Sequence, residues 1–224
     1  MNDKIEHGVL EKKYIDKRKK FSTWKYRLIR RSYEVSTKIL KFNYNQNVKI
    51  LDLGCAESAM YEHLDRFLED RMLDYTGVEY SFELLPEKSN LKLICADITK
   101  LPIKKSYKFD VVILSAVLEH ITEPEKLLED LAERLTESGI IVITMPDPFY
   151  EKIASKLKNI EETVYHNPLN VEKLEKIAEL SNLKLVEYNK FMITPYGFIA
   201  ETWIEKFIPG FLKLNQCFVL RIAD

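Results

Sequence analysis

Lys49-Ile50-Leu51-Asp52-Leu53-Gly54-Cys55-Ala56-Glu57-Ser58 sets an apolar, strand-like run directly ahead of a turn of small residues. A second run, Tyr75-Thr76-Gly77-Val78, ends on an acidic residue, Glu79, twenty-five positions after Gly54. Together they carry the pattern of a nucleoside-binding α/β site. A residue without a bulky side chain lets the backbone approach a ligand closely, and a carboxylate at the tip of the neighbouring strand can accept both hydroxyl protons of a ribose diol.

Outward from this stretch, elements alternate. A strand at about 48–53 is followed by a helix from Glu57 to Leu68, a strand at about 73–79, a short helix from Phe82 and a strand over Leu91–Ala96. Phe109-Asp110-Val111-Val112-Ile113-Leu114-Ser115 is apolar on both faces, as a central strand of a parallel sheet must be. Thr122-Glu123-Pro124 introduces a helix over Glu125–Leu135, Gly139 ends it, and Ile140–Met145 reads as another doubly buried strand stopped by Pro146. Asn170 is placed to cap a helix over Val171–Leu180; strands Leu183–Tyr188 and Cys217–Ile222 complete a set of seven. The order predicts an α/β fold with a mostly parallel sheet and right-handed crossovers.

Ahead of the first strand, Phe21, Trp24, Leu28, Val35 and Ile39 recur at mostly three- and four-residue steps, predicting an amphipathic helix in a basic segment, 1–44, whose expected role is a lid. The remainder, 45–224, reads as one domain. At 224 residues and 46% hydrophobic content, the chain can bury one substantial core. Net charge is −1, which gives no global case for nucleic acid or an anionic membrane, yet residues 1–49 carry fourteen Lys/Arg against five Asp/Glu. That excess reads as a solvated helix face, with a basic rim for an anionic substrate as the sharper alternative. Cys55, Cys95 and Cys217 lack metal-binding spacing and sit in or at the ends of apolar runs, so they read as small buried hydrophobes, with no metal site expected. The N-terminus lacks an apolar signal region and no apolar stretch approaches ~18 residues, so a cytoplasmic location is expected.

Which nucleoside binds is narrowed by what the turn lacks. A dinucleotide site asks for G-x-G-x-x-G, because bare backbone and a helix N-terminus must hold a pyrophosphate. Here Gly54 is the one glycine, and Glu57 would set a carboxylate beside those phosphates. A P-loop is excluded by the absence of G-x-x-x-x-G-K-[ST].

Four stretches in order, Leu51-Asp52-Leu53-Gly54-Cys55, Gly77-Val78-Glu79, Cys95-Ala96-Asp97-Ile98-Thr99-Lys100-Leu101-Pro102, and Phe109–Val112 running into Val117-Leu118-Glu119-His120-Ile121, give a chain that resembles class I S-adenosylmethionine-dependent methyltransferases. The last stretch looks most like the small-molecule branch that includes quinone, glycan and lipid methyltransferases. The resemblance implies a seven-stranded Rossmann-like sheet, mostly parallel with the last strand antiparallel, and helices on both faces. It also implies S-adenosyl-L-methionine as cofactor and S-adenosyl-L-homocysteine as product. By the same resemblance Asp52 and Gly54 with the Cys55-Ala56 backbone would hold the methionine part, Glu79 with Tyr80 the ribose, Asp97 the adenine amino group with Ile98 on its ring face, and Ser115-Ala116 the amino-acid end. The family usually has glycine where Ala56 and Ser58 stand; Ala56 adds a methyl group where backbone approaches ligand, and if that position needs positive φ the cost is about 1 kcal/mol or more.

Methyl transfer from a sulfonium is a direct displacement, so positioning and exclusion of water dominate. A hydroxyl or activated-carbon acceptor benefits from a general base. His120 is the first candidate, Glu119 the second, and His166 in Tyr165-His166-Asn167-Pro168 the third. In the insert at about 191–214, Ile199, Trp203 and Phe207 step by four opposite Glu201, Thr202, Glu205 and Lys206. The expected arrangement is a helix whose apolar face closes the core, the alternative being a peripheral membrane or lipid contact. The expected partner is a small-molecule, glycan or lipid-linked acceptor. An RNA or protein methyltransferase using the basic N-terminal segment, and a non-catalytic cofactor-binding relative, are the competing readings; nucleic acid is disfavoured because the Asn/Asp-Pro-Pro-aromatic signature is missing after the fourth strand. Oligomeric state is not written in the sequence.

Overall fold

The structure is a computed structural model, in which residues 22–87, 90–150, 152, 167–197 and 200–223 are described. Seven strands form one sheet in the order β3-β2-β1-β4-β5-β7-β6: β1 Asn47–Leu53, β2 Met72–Glu79, β3 Lys92–Cys95, β4 Phe109–Ser115, β5 Leu135–Pro146, β6 Leu183–Phe191 and β7 Asn215–Ile222. Strands β1 to β5 pair in parallel, and β7 runs antiparallel to both β5 and β6. This is the Rossmann-like arrangement the sequence implied. The chain order reverses between β1 and β4, which opens a crevice at their carboxyl ends.

The doubly apolar strands feed two cores. Leu51, Leu53, Val112, Leu114, Ile141 and Ile143 point to one face, where α3 (Pro124–Ala132) and α4 (Val171–Leu180) contribute Leu127, Leu128, Leu131, Leu174 and Ala178. Ile50, Val111, Ile113, Ile140 and Val142 point to the other, covered by α1 (Ser22–Phe42) through Val35 and Ile39 and by α2 (Ala59–Phe67) through Met60 and Leu64. Period-two alternation in the strands and 3.6 periodicity in the helices thus meet on both faces. Asn170 caps α4 as expected, accepting from the Lys173 N–H at 3.0 Å. Among the described residues no helix is long and apolar enough to cross a membrane.

Several expectations are corrected. Helix α3 stops at Ala132, and Gly139 lies within β5: Phe109 pairs with Leu135 but Val111 already pairs with Ile140, so the residues between bulge out. A Cβ on Gly139 would stand 3.0 Å from the carbonyl oxygens of Phe109 and Thr136, so the glycine serves the bulge and not a helix end. Cys95 is exposed, because it ends the edge strand β3. The basic face of α1 is only partly solvated. Arg30 and Lys38 are buried, Arg30 bonding Glu205 at 2.6 Å and Lys38 bonding Glu187 at 2.7 Å. Residues 1–21 lie outside the described residues, and with them the rest of the expected lid.

The insert is inverted relative to expectation. After β6 the chain forms α5 (Glu201–Ile204) and two 3-10 turns, Glu205–Phe207 and Gly210–Leu212. Glu201 and Glu205 are 2% and 8% exposed, whereas Trp203 and Phe207 are 63% and 74% exposed. The reason is backbone demand: Glu201 accepts from the N–H groups of Ile193 (2.6 Å) and Thr194 (3.1 Å), and Glu205 from Met192 (3.0 Å) and Arg30. The carboxylates satisfy donors that the end of β6 leaves unpaired. Ile199, counted in the same stripe, lies outside the described residues.

Candidate cofactor site

The turn after β1 continues the pairing of β1 with β2, since Gly54 and Cys55 both donate to the Val78 carbonyl, at 2.8 and 3.1 Å. Gly54 has φ 71°, and a Cβ there would lie 2.6 Å from Val117 Cγ2. Glycine is required twice over, by conformation and by space. The same contact ties the turn to the segment after β4, so the two expected halves of the crevice meet. Ala56 and Ser58 also take positive φ, 47° and 57°, adopting the left-handed geometry that glycine takes freely.

Two carboxylates organise this turn. Glu79 is buried at the end of β2, where Oε2 accepts from the Ala56 N–H at 2.9 Å and Oε1 from the Ser81 N–H at 3.0 Å. Asp52 is buried on β1 and accepts from the Tyr75 hydroxyl at 2.6 Å. Burial pushes the Asp52 carboxyl up to about 7; the Tyr75 hydrogen bond works against this and the Glu79 charge adds to it. Burial, the neighbouring Asp52 charge and a smaller Glu79 contribution push the Cys55 thiol well up, so it packs as a neutral group. Tyr80, next after Glu79, is half exposed.

Asp97 follows β3 and caps the 3-10 turn Ile98–Lys100, its Oδ1 accepting from the Thr99 N–H (2.8 Å) and hydroxyl (2.7 Å). Ile98 packs partly buried against the core. At the end of β4, the Ser115 hydroxyl lies 3.0 Å from the Thr144 hydroxyl, and Ala116, at φ 57°, donates to the Thr144 carbonyl at 2.6 Å. His120 ends the 3-10 turn Leu118–His120 and is half buried, while the Glu119 side chain is buried and its carbonyl accepts from the Asn167 N–H at 2.7 Å. His166 lies outside the described residues.

The turn after β1, Glu79, Asp97 and the Ser115-Ala116 pair therefore occupy the carboxyl ends of four adjacent strands, and the His120 turn follows the last of them. Sequence reasoning missed Tyr75 and Thr144, the side chains that hold Asp52 and Ser115. The signal for Tyr75 was its polar tip on the same face as Asp52, two register steps away. A shallow depression lined by Asn47, Lys49, Met72, Leu73 and Asp74 lies at the opposite, amino edge of the sheet and contains none of these groups.

Comparison with known proteins agrees with this fold. Residues 12–188 match a family model described as a methyltransferase domain. An uncharacterized protein of Methanocaldococcus jannaschii is 28% identical over 195 residues, 83% of this chain and 79% of its own length. A malonyl-[acyl-carrier protein] O-methyltransferase of Bacillus cereus is 26% identical over 59% of this chain; the match spans only 52% of the relative's length. The crystal structure of the plantazolicin methyltransferase in complex with SAH superposes with a TM-score of 0.62 at 21% identity, covering 93% of this chain and 91% of that one. With a family model matched over most of its length and the sheet order that goes with it, this chain belongs to the class I methyltransferase family, whose members use S-adenosylmethionine.

Proposed function

We propose that this methyltransferase acts on a small-molecule, glycan or lipid-linked acceptor by direct in-line transfer, with Asp52, Gly54, Cys55, Ala56, Glu79, Tyr80, Asp97, Ile98, Ser115 and Ala116 forming its cofactor site. The observation that carries this reading is the arrangement of Asp52, Glu79 and Asp97 on three adjacent parallel strands around a turn built from left-handed residues. The set of carboxylate acceptors suits a cationic nucleoside with hydroxyl and amino groups to donate, and not a phosphate. Each Glu79 oxygen accepts one backbone N–H and keeps a second lone pair, so the carboxylate can take a ribose diol without releasing the turn. Asp52, with the Gly54–Ala56 backbone, faces the methionine ammonium; Asp97 takes the adenine amino group, Ile98 its ring face, and Ser115-Ala116 the amino-acid end.

When bound, the cofactor supplies an activated methyl group. The chain's own part is to aim the acceptor and exclude water, and for His120 to take a proton from a hydroxyl or carbon acid. The malonyl-[acyl-carrier protein] and plantazolicin acceptors in the relatives' names support an acceptor other than nucleic acid. The insert and α1 meet at Tyr26 with Gly197 and at Arg30 with Glu205, which supports an acceptor mouth framed by both variable segments. A cytoplasmic setting is part of the proposal, since the three thiols are free, as a reducing compartment keeps them.

Thermal-shift titration tests the cofactor site: at a hundred times its dissociation constant, S-adenosylmethionine or S-adenosylhomocysteine adds about 2.7 kcal/mol of stability. No shift with either sinks the assignment. His120→Ala is expected to lower turnover on the true acceptor by roughly a hundredfold or more with cofactor affinity unchanged. Lost cofactor affinity instead would make His120 structural, and strong salt-dependent RNA binding would move the acceptor to nucleic acid.

A further inference from the structure

The inverted insert leaves an apolar face that the domain itself does not use. Trp203 and Phe207 pack edge-to-face on one another, ring centroids 5.4 Å apart, yet both stand in solvent, and Tyr196, Phe211 and Leu212 of the same connection are exposed as well. Trp203, Lys206 and Phe207 fall at three- and four-residue steps along α5 and the 3-10 turn that continues it. This exposure is enforced by the fold. Burying Glu201 and Glu205 costs desolvation that an apolar face turned inward would avoid, and four hydrogen bonds to the end of β6 and to Arg30 hold the segment in this orientation.

Charge along this stretch is one-sided. From Ala200 to Leu214 the charged residues are Glu201, Glu205, Lys206 and Lys213; both carboxylates are turned inward, while Lys206 is exposed and Lys213 half exposed. Aromatic rings with lysines and no exposed carboxylate form the chemistry of an interfacial segment on an anionic surface. The insert joins the end of β6 to the start of β7 at the carboxyl edge of the sheet, the edge that carries the candidate cofactor site. Tyr26 on α1 abuts Gly197 of the same connection. A two-fold contact between copies centred here would set Lys206 and Lys213 against themselves, which argues against a second copy as the occupant.

We propose that Trp203, Phe207, Phe211 and Tyr196, with Lys206 and Lys213, dock the protein on the surface of a bilayer containing anionic lipid, with the carboxyl edge of the sheet turned toward the membrane. The docking requires neither cofactor nor methyl transfer, so it stands or falls separately from the catalytic reading.

The test is co-sedimentation of the full chain, without cofactor, with vesicles of phosphatidylcholine mixed with phosphatidylserine, against vesicles of phosphatidylcholine alone. Binding to the mixed vesicles and much weaker binding to the neutral ones is expected. In a Trp24→Phe background, Trp203 emission should shift to the blue on the mixed vesicles. Lys206→Gln and Lys213→Gln should each weaken binding about fivefold, and Trp203→Ser with Phe207→Ser on the order of tenfold or more. Circular dichroism checks that these surface variants keep the fold. Failure to sediment with the mixed vesicles, or binding indifferent to the aromatic pair, overturns the proposal. So does concentration-dependent dimerisation in sedimentation velocity that Trp203→Ser abolishes, because the face would then belong to a second copy.

Discussion

At Asp52 two demands conflict. The carboxyl is buried and held near 7 by that burial, so on its own it is largely protonated below neutrality, yet a cofactor ammonium needs it ionised. If Asp52 faces the ammonium, cofactor affinity falls about tenfold per pH unit below 7 and levels off above it. Calorimetry across this range checks the slope, and Asp52→Asn should flatten it while weakening binding. Stability of the ligand-free protein carries the matching sign. The folded value lies above the ordinary 3.8, so Asp52 costs nothing below that point, lowers stability as pH rises from 3.8 to about 7, and has no further effect beyond. The turn stores strain as well: Ala56→Gly and Ser58→Gly should each stabilise the fold by about 0.5–1 kcal/mol, because the native φ is left-handed, less what glycine returns to the unfolded chain. Gly54→Ala should do the reverse by at least about 2 kcal/mol, since a left-handed φ and the Val117 clash add. Chemical denaturation measures all three.

Among elements, the insert and α1 are coupled through the Arg30–Glu205 pair, the end of a buried charge network that includes Glu34 and Lys38. The Arg30 guanidinium bonds Glu205, stands 3.7 Å from the Glu34 carboxylate and lies 5.5 Å and 5.8 Å over the Tyr33 and Phe191 rings, so removing Arg30 leaves the Glu205 carboxylate buried without its cation, and removing Glu205 leaves Arg30 only the longer pairing with Glu34. Arg30→Met and Glu205→Gln should each cost about 3 kcal/mol, and the double variant less than their sum by at least about 1 kcal/mol, read from a double-mutant cycle in urea. Exact additivity would mean that the pair is electrostatically idle. The β5 bulge shows the same dependence on distant structure: Gly139 looked like a helix stop because the helix before it had the right period, but its tight neighbour across the strands is the Phe109 carbonyl.

For the molecule as a whole, α1 is a structural layer. Val35 and Ile39 are fully buried in the core between α2 and the sheet, so a chain starting after Phe42 should lose cooperative unfolding and bind hydrophobic dye. Ile39→Ala alone should cost about 2–5 kcal/mol in denaturant titration. Most of the sheet was legible because strands such as Phe109–Ser115 announce burial on both faces, and because the acids of the candidate site stand at strand ends where a parallel sheet gathers them. His120 and Glu119 were legible as residues after the fourth strand, but their surroundings depend on a connection from elsewhere in the chain, through Asn167.

Local pattern by itself determined most strands and helices and their order and argued against a phosphate ligand, and four short stretches carried the resemblance to the family, since periodicity, a small-residue turn and strand-end carboxylates each lie within a few residues. Only the tertiary structure decided which way the insert faces and which cations of α1 are buried. An amphipathic period marks two sides of a helix but not which is inward. Here the answer came from partners far away, Arg30 reaching Glu205 across 175 residues and the free N–H groups at the end of β6 claiming Glu201, and no local window contains those contacts.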